Sequence, residues 1–129
     1  MDKTLMQFLH PERKPNVKFK LGPFGDAEFE MRVLGADEMA QISAEVQTKG
    51  LKGVEALYPA VAESLVKPNL RSSDLLDALS EREGRKILNP VDALKAMFTG
   101  DEISALIGIY NDHADVTVDF EEKVKEAKN

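Results

Sequence analysis

Two stretches early in the chain alternate apolar and charged residues with a period of two. Val17, Phe19 and Leu21 are interleaved with Lys18 and Lys20, and Phe29, Met31 and Val33 with Glu28, Glu30 and Arg32. Such alternation puts the apolar set on one face of a strand and the charges on the other. Between them, Gly22-Pro23-Phe24-Gly25-Asp26 carries turn chemistry. The pattern predicts an antiparallel hairpin over about 17–21 and 28–34. Its lysines and glutamates suit cross-strand pairing. A lone hairpin is not stable in water, so this one packs on helices or on further strands.

After Gly35 the period becomes helical. Met39, Ile42 and Val46 share one face, and Asp37 and Glu38 fall in the first turn, where the helix dipole favours acids. Thr48-Lys49-Gly50 supplies a cation and then a glycine stop. A second stripe joins Val54, Leu57, Tyr58, Val61 and Leu65, with Pro59 inside it. That proline predicts a kink or a fresh start near Tyr58, and Lys67-Pro68-Asn69-Leu70 breaks the helix. Ser72 or Ser73 caps a short helix bearing Leu75, Leu76 and Leu79. The polar stretch Ser80 to Lys86, with Gly84 inside it, reads as an exposed, mobile connection. Asn89-Pro90 is a cap followed by proline at the first helical position, and Leu94, Met97 and Phe98 give that helix its apolar side. Thr99 and Glu102 have capping-box spacing ahead of Ile103, Leu106, Ile107 and Tyr110. Asp119 and Glu122 repeat that spacing in a segment whose apolar residues are Phe120, Val124 and Ala127, which predicts a short terminal helix.

The organisation is one domain in three parts. Residues 1–16 form an N-terminal arm or short helix, stopped by Pro11 and Pro15; residues 17–34 form the hairpin; residues 36–129 form the helical part. The fold class is α+β and helix-dominated, a hairpin followed by about five or six short helices. Strands first and helices later argue against an alternating parallel sheet.

Composition narrows the chemistry. The chain has 129 residues, a net charge of −6 and no cysteine. Disulfides, thiolate zinc sites and cysteine nucleophiles are excluded. The acidity argues against general binding to nucleic-acid phosphates. Arg13, Lys14, Lys18 and Lys20 make a basic cluster without an accompanying aromatic series, which reads as a solvated strand face. Asp112, His113, Asp115 and Asp119 group acids with an imidazole, but the EF-hand pattern is missing and a helix end entering a polar loop explains them better. Neither a Gly-x-Ser-x-Gly elbow nor a phosphate-cradling glycine loop occurs. No apolar run approaches the roughly 20 residues that span a bilayer. These readings lead to a non-enzymatic, intracellular interaction domain with no cofactor, no metal, no nucleic-acid partner and no membrane partner.

The order of segments resembles the XkdN-like family of phage tail assembly chaperones. The resemblance rests on the apolar start Leu5-Met6-Gln7-Phe8-Leu9 and on the strands that run into Met31-Arg32-Val33-Leu34 before Asp37-Glu38. It continues in Ala62 to Leu75, an apolar helix, then Pro68-Asn69-Leu70, then a serine-started helix with leucine. It ends in Asn89-Pro90 through Met97-Phe98 to Thr99-Gly100-Asp101-Glu102, and the chain closes on Glu126-Ala127-Lys128-Asn129, as family members tend to. It is a similarity of order and spacing over nearly the whole chain. Two departures are Thr99-Gly100, where Pro-Gly is common, and the loop around Ser80 to Glu83. The resemblance implies a chaperone in the host bacterial cytoplasm that binds the tape measure protein and keeps it soluble. It also implies that the tail tube protein polymerises around that client, and that the chaperone is missing from the mature virion.

A chaperone of this kind needs apolar side chains beyond those of its own core. The candidates are Leu5, Phe8, Leu9, Phe24, Met97, Phe120 and Val124. Leu5, Phe8 and Leu9 are equally suited to docking on the core or on another chain, whereas Phe98 on its helix stripe reads as core. Self-association through the arm or through helix faces is expected. The alternatives are a structural tail or head–tail component and an acidic adaptor that binds a host protein.

Overall fold

The computed structural model describes residues 2–120. Among these residues the chain folds as a helix-dominated α+β unit, with a small antiparallel sheet against a group of short helices. Helix α1 (Lys3–Leu9) is capped by Asp2, whose carboxylate accepts the Leu5 N–H at 2.8 Å. Residues 10–16 follow without regular structure and are exposed throughout.

Strands β1 (Val17–Phe19) and β2 (Phe29–Met31) are the hairpin, paired Val17 with Met31, Lys18 with Glu30 and Phe19 with Phe29. Both strands are shorter than the alternation suggests. The chain leaves β2 after Met31, so Val33 is exposed and Leu34 takes the buried place. Between the strands, Gly22–Phe24 forms a 3-10 turn closed by Gly25 at φ 61°, a conformation that favours glycine.

Helix α2 (Ala36–Lys49) ends on Gly50 in the left-handed conformation, with the Gly50 N–H bonded to Gln47 and the following amide bonded to Val46. A 3-10 turn over Gly53–Leu57 leads into α3 (Tyr58–Ser64), so Pro59 marks the predicted fresh start. The next three residues correct the sequence reading. Leu65–Lys67 is a strand, β3, antiparallel to β2 across an irregular register, which completes the sheet order β1-β2-β3. The Arg32 N–H donates to the Ser64 carbonyl at 2.9 Å where α3 gives way to β3. Proline at position 68 disfavours helix at Lys67, and pairing to β2 supplies the backbone partners that the helix gives up.

Helix α4 (Ser73–Glu83) is capped by Ser72 and closed by Gly84 at φ 70°. It runs through Ser80-Glu81-Arg82-Glu83, expected as an exposed connection, because these residues form helix acceptably and the glycine stop lies beyond them. Helix α5 (Pro90–Met97) starts on the Asn89 cap. Helix α6 (Gly100–Ala114) starts on the Thr99 and Glu102 capping box, with both reciprocal bonds formed at 3.1 and 2.9 Å. Residues 115–120 have no regular structure, so Asp119 and Phe120 are not helical, and the rest of the expected terminal helix lies outside the described residues.

The core collects Phe29 and Met31 from the sheet, Val61 and Ala62 from α3, and Leu94, Ile103 and Leu106 from α5 and α6. Helix α3 lies at its centre, with Pro59, Val61, Ala62 and Ser64 all buried. The Ser64 hydroxyl is satisfied by donating to the Val61 carbonyl at 2.7 Å. Phe24, Phe29 and Phe98 form an aromatic group with centroid separations of 5.3 to 6.1 Å, and Phe19 stacks on Phe29 at 5.4 Å.

Candidate partner-binding surface

The structure divides the seven candidate side chains. Leu5, Phe8 and Leu9 lie on α1, which has no buried residue, and Phe8 is 79% exposed. Their i, i+3, i+4 spacing gathers them on one side of the helix. Met6 is exposed beside them. It belongs to the same surface, and the apolar run Leu5 to Leu9 carries the signal for it.

Phe24 is half-buried. Its ring meets Phe29 edge-on at 5.3 Å and Phe98 at the same distance, so it closes the end of the core. A turn residue reads as exposed from local chemistry alone; here the 3-10 turn tips it inward. Met97 is also packed against the core and half-buried. Phe98 is buried, as its helix stripe implies. Phe120 is about half exposed in the irregular segment after α6, and Val124 lies outside the described residues. In the same segment Val116 and Val118 are 75% and 65% exposed.

A second feature was not legible in the sequence. Helix α2 contributes no buried residue, and its apolar stripe of Met39, Ile42 and Val46 is only partly covered. Ion pairs link it to the end of β2 and to α3. The Arg32 guanidinium binds the Glu38 carboxylate through two bonds of 2.9 and 2.6 Å. Arg32 lies 3.7 Å from Glu63, and Glu63 accepts from Arg71 at 2.8 Å. Glu38 also accepts the Gly35 N–H at 3.0 Å. The Arg32 bond and then this backbone bond hold the Glu38 carboxyl down at about 2, and the same pairing raises Arg32 above its usual value.

Where α2 stands off α3 and the start of α5 there is an open groove of about 170 Å³. Ile42, Pro59, Ala62 and Val91 supply its apolar lining. Glu38, Glu45 and Glu63 rim it, each already ion-paired, with Arg32, Lys49 and Arg71 respectively. Among the described residues no buried side-chain nitrogen or oxygen lacks a partner, so no polar group is held unsatisfied in it.

The basic residues Arg13, Lys14, Lys18 and Lys20 are exposed, and Lys18 faces Glu30 across the hairpin. Glu30 accepts from Asn16 at 2.9 Å, which ties the end of the arm to the sheet. Asp112 and His113 lie at the end of α6, with Asp115 and Asp119 beyond it. Among the described residues no group of three or more metal-ligating side chains converges. No described helix is long and apolar enough to cross a membrane. Searches of protein-family models, curated proteins and solved structures return no significant match to this chain.

Proposed function

We propose that this chain is a phage tail assembly chaperone, a non-enzymatic protein that binds the tape measure protein in the host bacterial cytoplasm and assists polymerisation of the tail tube protein around it. The observation that carries the reading is α1: Leu5, Phe8 and Leu9 on one side of a capped helix, none of them buried by its own chain. An apolar helix on an exposed tether is suited to covering apolar stretches of a long helical client. Val116 and Val118 add exposed apolar area beyond the other end of the described fold. The segment order shared with the chaperone family supports the same reading.

Gene deletion combined with particle composition tests it. Deleting the gene yields filled heads without tails, and the chain is missing from purified particles of the intact phage. Normal tails after deletion overturn the proposal. A fixed number of copies in every particle favours the structural component instead.

A further inference from the structure

We infer that residues 116–119 of one copy add as a strand to the free edge of β1 in a second copy, and that reciprocal addition joins two chains into a dimer. The inference stands apart from the chaperone reading, which is carried by α1; this pairing leaves α1 open.

The acceptor is the edge of the sheet. With the order β1-β2-β3, β1 is paired on one side only. Alternate residues of an antiparallel strand turn N–H and C=O away from the partner, so the outer side of β1 is a row of unpaired backbone groups. The other edge, β3, is shut in between α3 and Pro68 and offers only three residues. Beyond β1 the backbone is still extended at Leu21. Val17, Phe19 and Leu21 are half-buried and packed against the core, while Lys18 and Lys20 are exposed. Glu30 lies opposite Lys18 yet is hydrogen-bonded to Asn16, and among the described residues neither lysine is in an ion pair.

The occupant begins where α6 ends. Asp115 leaves that helix with extended backbone, at φ −60° and ψ 138°. Val116, Thr117 and Val118 are all β-branched, and with Asp119 they alternate apolar and polar, the composition of a strand. They belong to no strand of their own chain, and Val116 and Val118 are largely exposed.

The two pieces match in register. Laid antiparallel to β1, Asp119 falls opposite Lys18, Val118 opposite Phe19, Thr117 opposite Lys20 and Val116 opposite Leu21. The valines then extend the apolar face of the sheet, and a carboxylate meets an ammonium on the other face. Charge also selects this occupant over a second β1. Two β1 edges laid antiparallel bring Lys18 against Lys18, and like charges directly opposite are destabilising. Residues 115–119 carry two carboxylates and no cation. Within one chain the edge and the segment are both present and unpaired. Each copy owns one of each, so reciprocal addition closes a two-fold dimer with neither left over.

The chain contains no cysteine, so introduced thiols report contacts without background. Lys18→Cys and Asp119→Cys are made in separate proteins; both positions are exposed and outside the core. On mixing under mild oxidation, a mixed disulfide forms at twice the chain mass of 14.3 kDa. The reciprocal contact of Lys18 with Asp119 stays intact in that dimer. Light scattering of the unaltered chain at high micromolar concentration gives the same doubled mass. Lys18→Glu and Asp119→Lys each weaken the dimer about tenfold, since the contact occurs twice in it. The chain that carries both reversals regains the original affinity.

Several results overturn the inference. One is a 14.3 kDa mass for the unaltered chain at every concentration. Another is a dimer that neither charge reversal weakens. A third is a doubly reversed chain as weak as the single variants. The last is a chain with both cysteines that closes an internal disulfide at monomer mass, which means the segment covers its own edge.

Discussion

Ser80 shows how one side chain decides a connection. Its hydroxyl oxygen accepts the Ile87 N–H at 2.8 Å and donates to the Leu76 carbonyl at 2.7 Å. This folds the end of α4 back onto Ile87, which is fully buried. Ser80→Ala leaves the Ile87 amide without that acceptor, at a cost of about 1–3 kcal/mol. Urea unfolding monitored by circular dichroism measures it, and a loss under about 0.5 kcal/mol, the usual surface range, contradicts the role. Glu38 makes a pH-dependent contribution. Its carboxyl is held at about 2 against an ordinary 4.5, chiefly by Arg32. The folded state therefore binds this proton less readily than the unfolded state. The stabilisation is complete above the ordinary value and fades as pH falls from about 4.5 towards 2. Arg32 stays charged across that window. Glu38→Gln removes this component, so its urea midpoint falls less steeply between pH 5 and pH 2 than that of the unaltered chain. Parallel slopes contradict the assignment.

At the scale of elements, the arm and the core behave as different materials. Helix α1 buries nothing, so Phe8→Asp changes unfolding free energy at low protein concentration by no more than about 0.5 kcal/mol. Phe98, buried against Phe24 and Phe29, loses about 3–5 kcal/mol on truncation to alanine. Denaturant titration of both variants checks the contrast, and a similar loss from both contradicts it. Elements set by local chemistry were legible in the sequence. The Asn89-Pro90 start, the Thr99 and Glu102 box and the Gly50 stop each satisfy helix-end groups with neighbours close in sequence. The hairpin was legible because alternation and turn residues agree. Strand β3 was not, because Leu65 also completes a helical stripe and only pairing with β2 decides between the two. The arm was legible as an apolar run, whereas the packing of Phe24 was not, because it depends on Phe98, far along the chain. The groove was not legible, since it depends on Arg32, Glu38, Glu63 and Arg71 meeting from four separate segments.

For the whole molecule, the aromatic group and the buried faces of α3, α5 and α6 make a satisfied core, while the arm, Val116 and Val118, together with Leu88, Val54 and Leu57, remain as apolar surface. That division of labour suits a protein whose work is to cover another chain. We propose that this work is keeping a long helical client soluble by binding it. The most direct measurement is co-expression with a phage tape measure protein as the proposed client, followed by affinity capture and light scattering of the eluted material. The account predicts that the client is soluble only when this chain is present, that the two elute as one complex of defined mass, and that Leu5→Asp with Phe8→Asp returns the client to the pellet while the variant itself stays folded. A client that remains insoluble beside the unaltered chain, with this chain eluting alone, contradicts it.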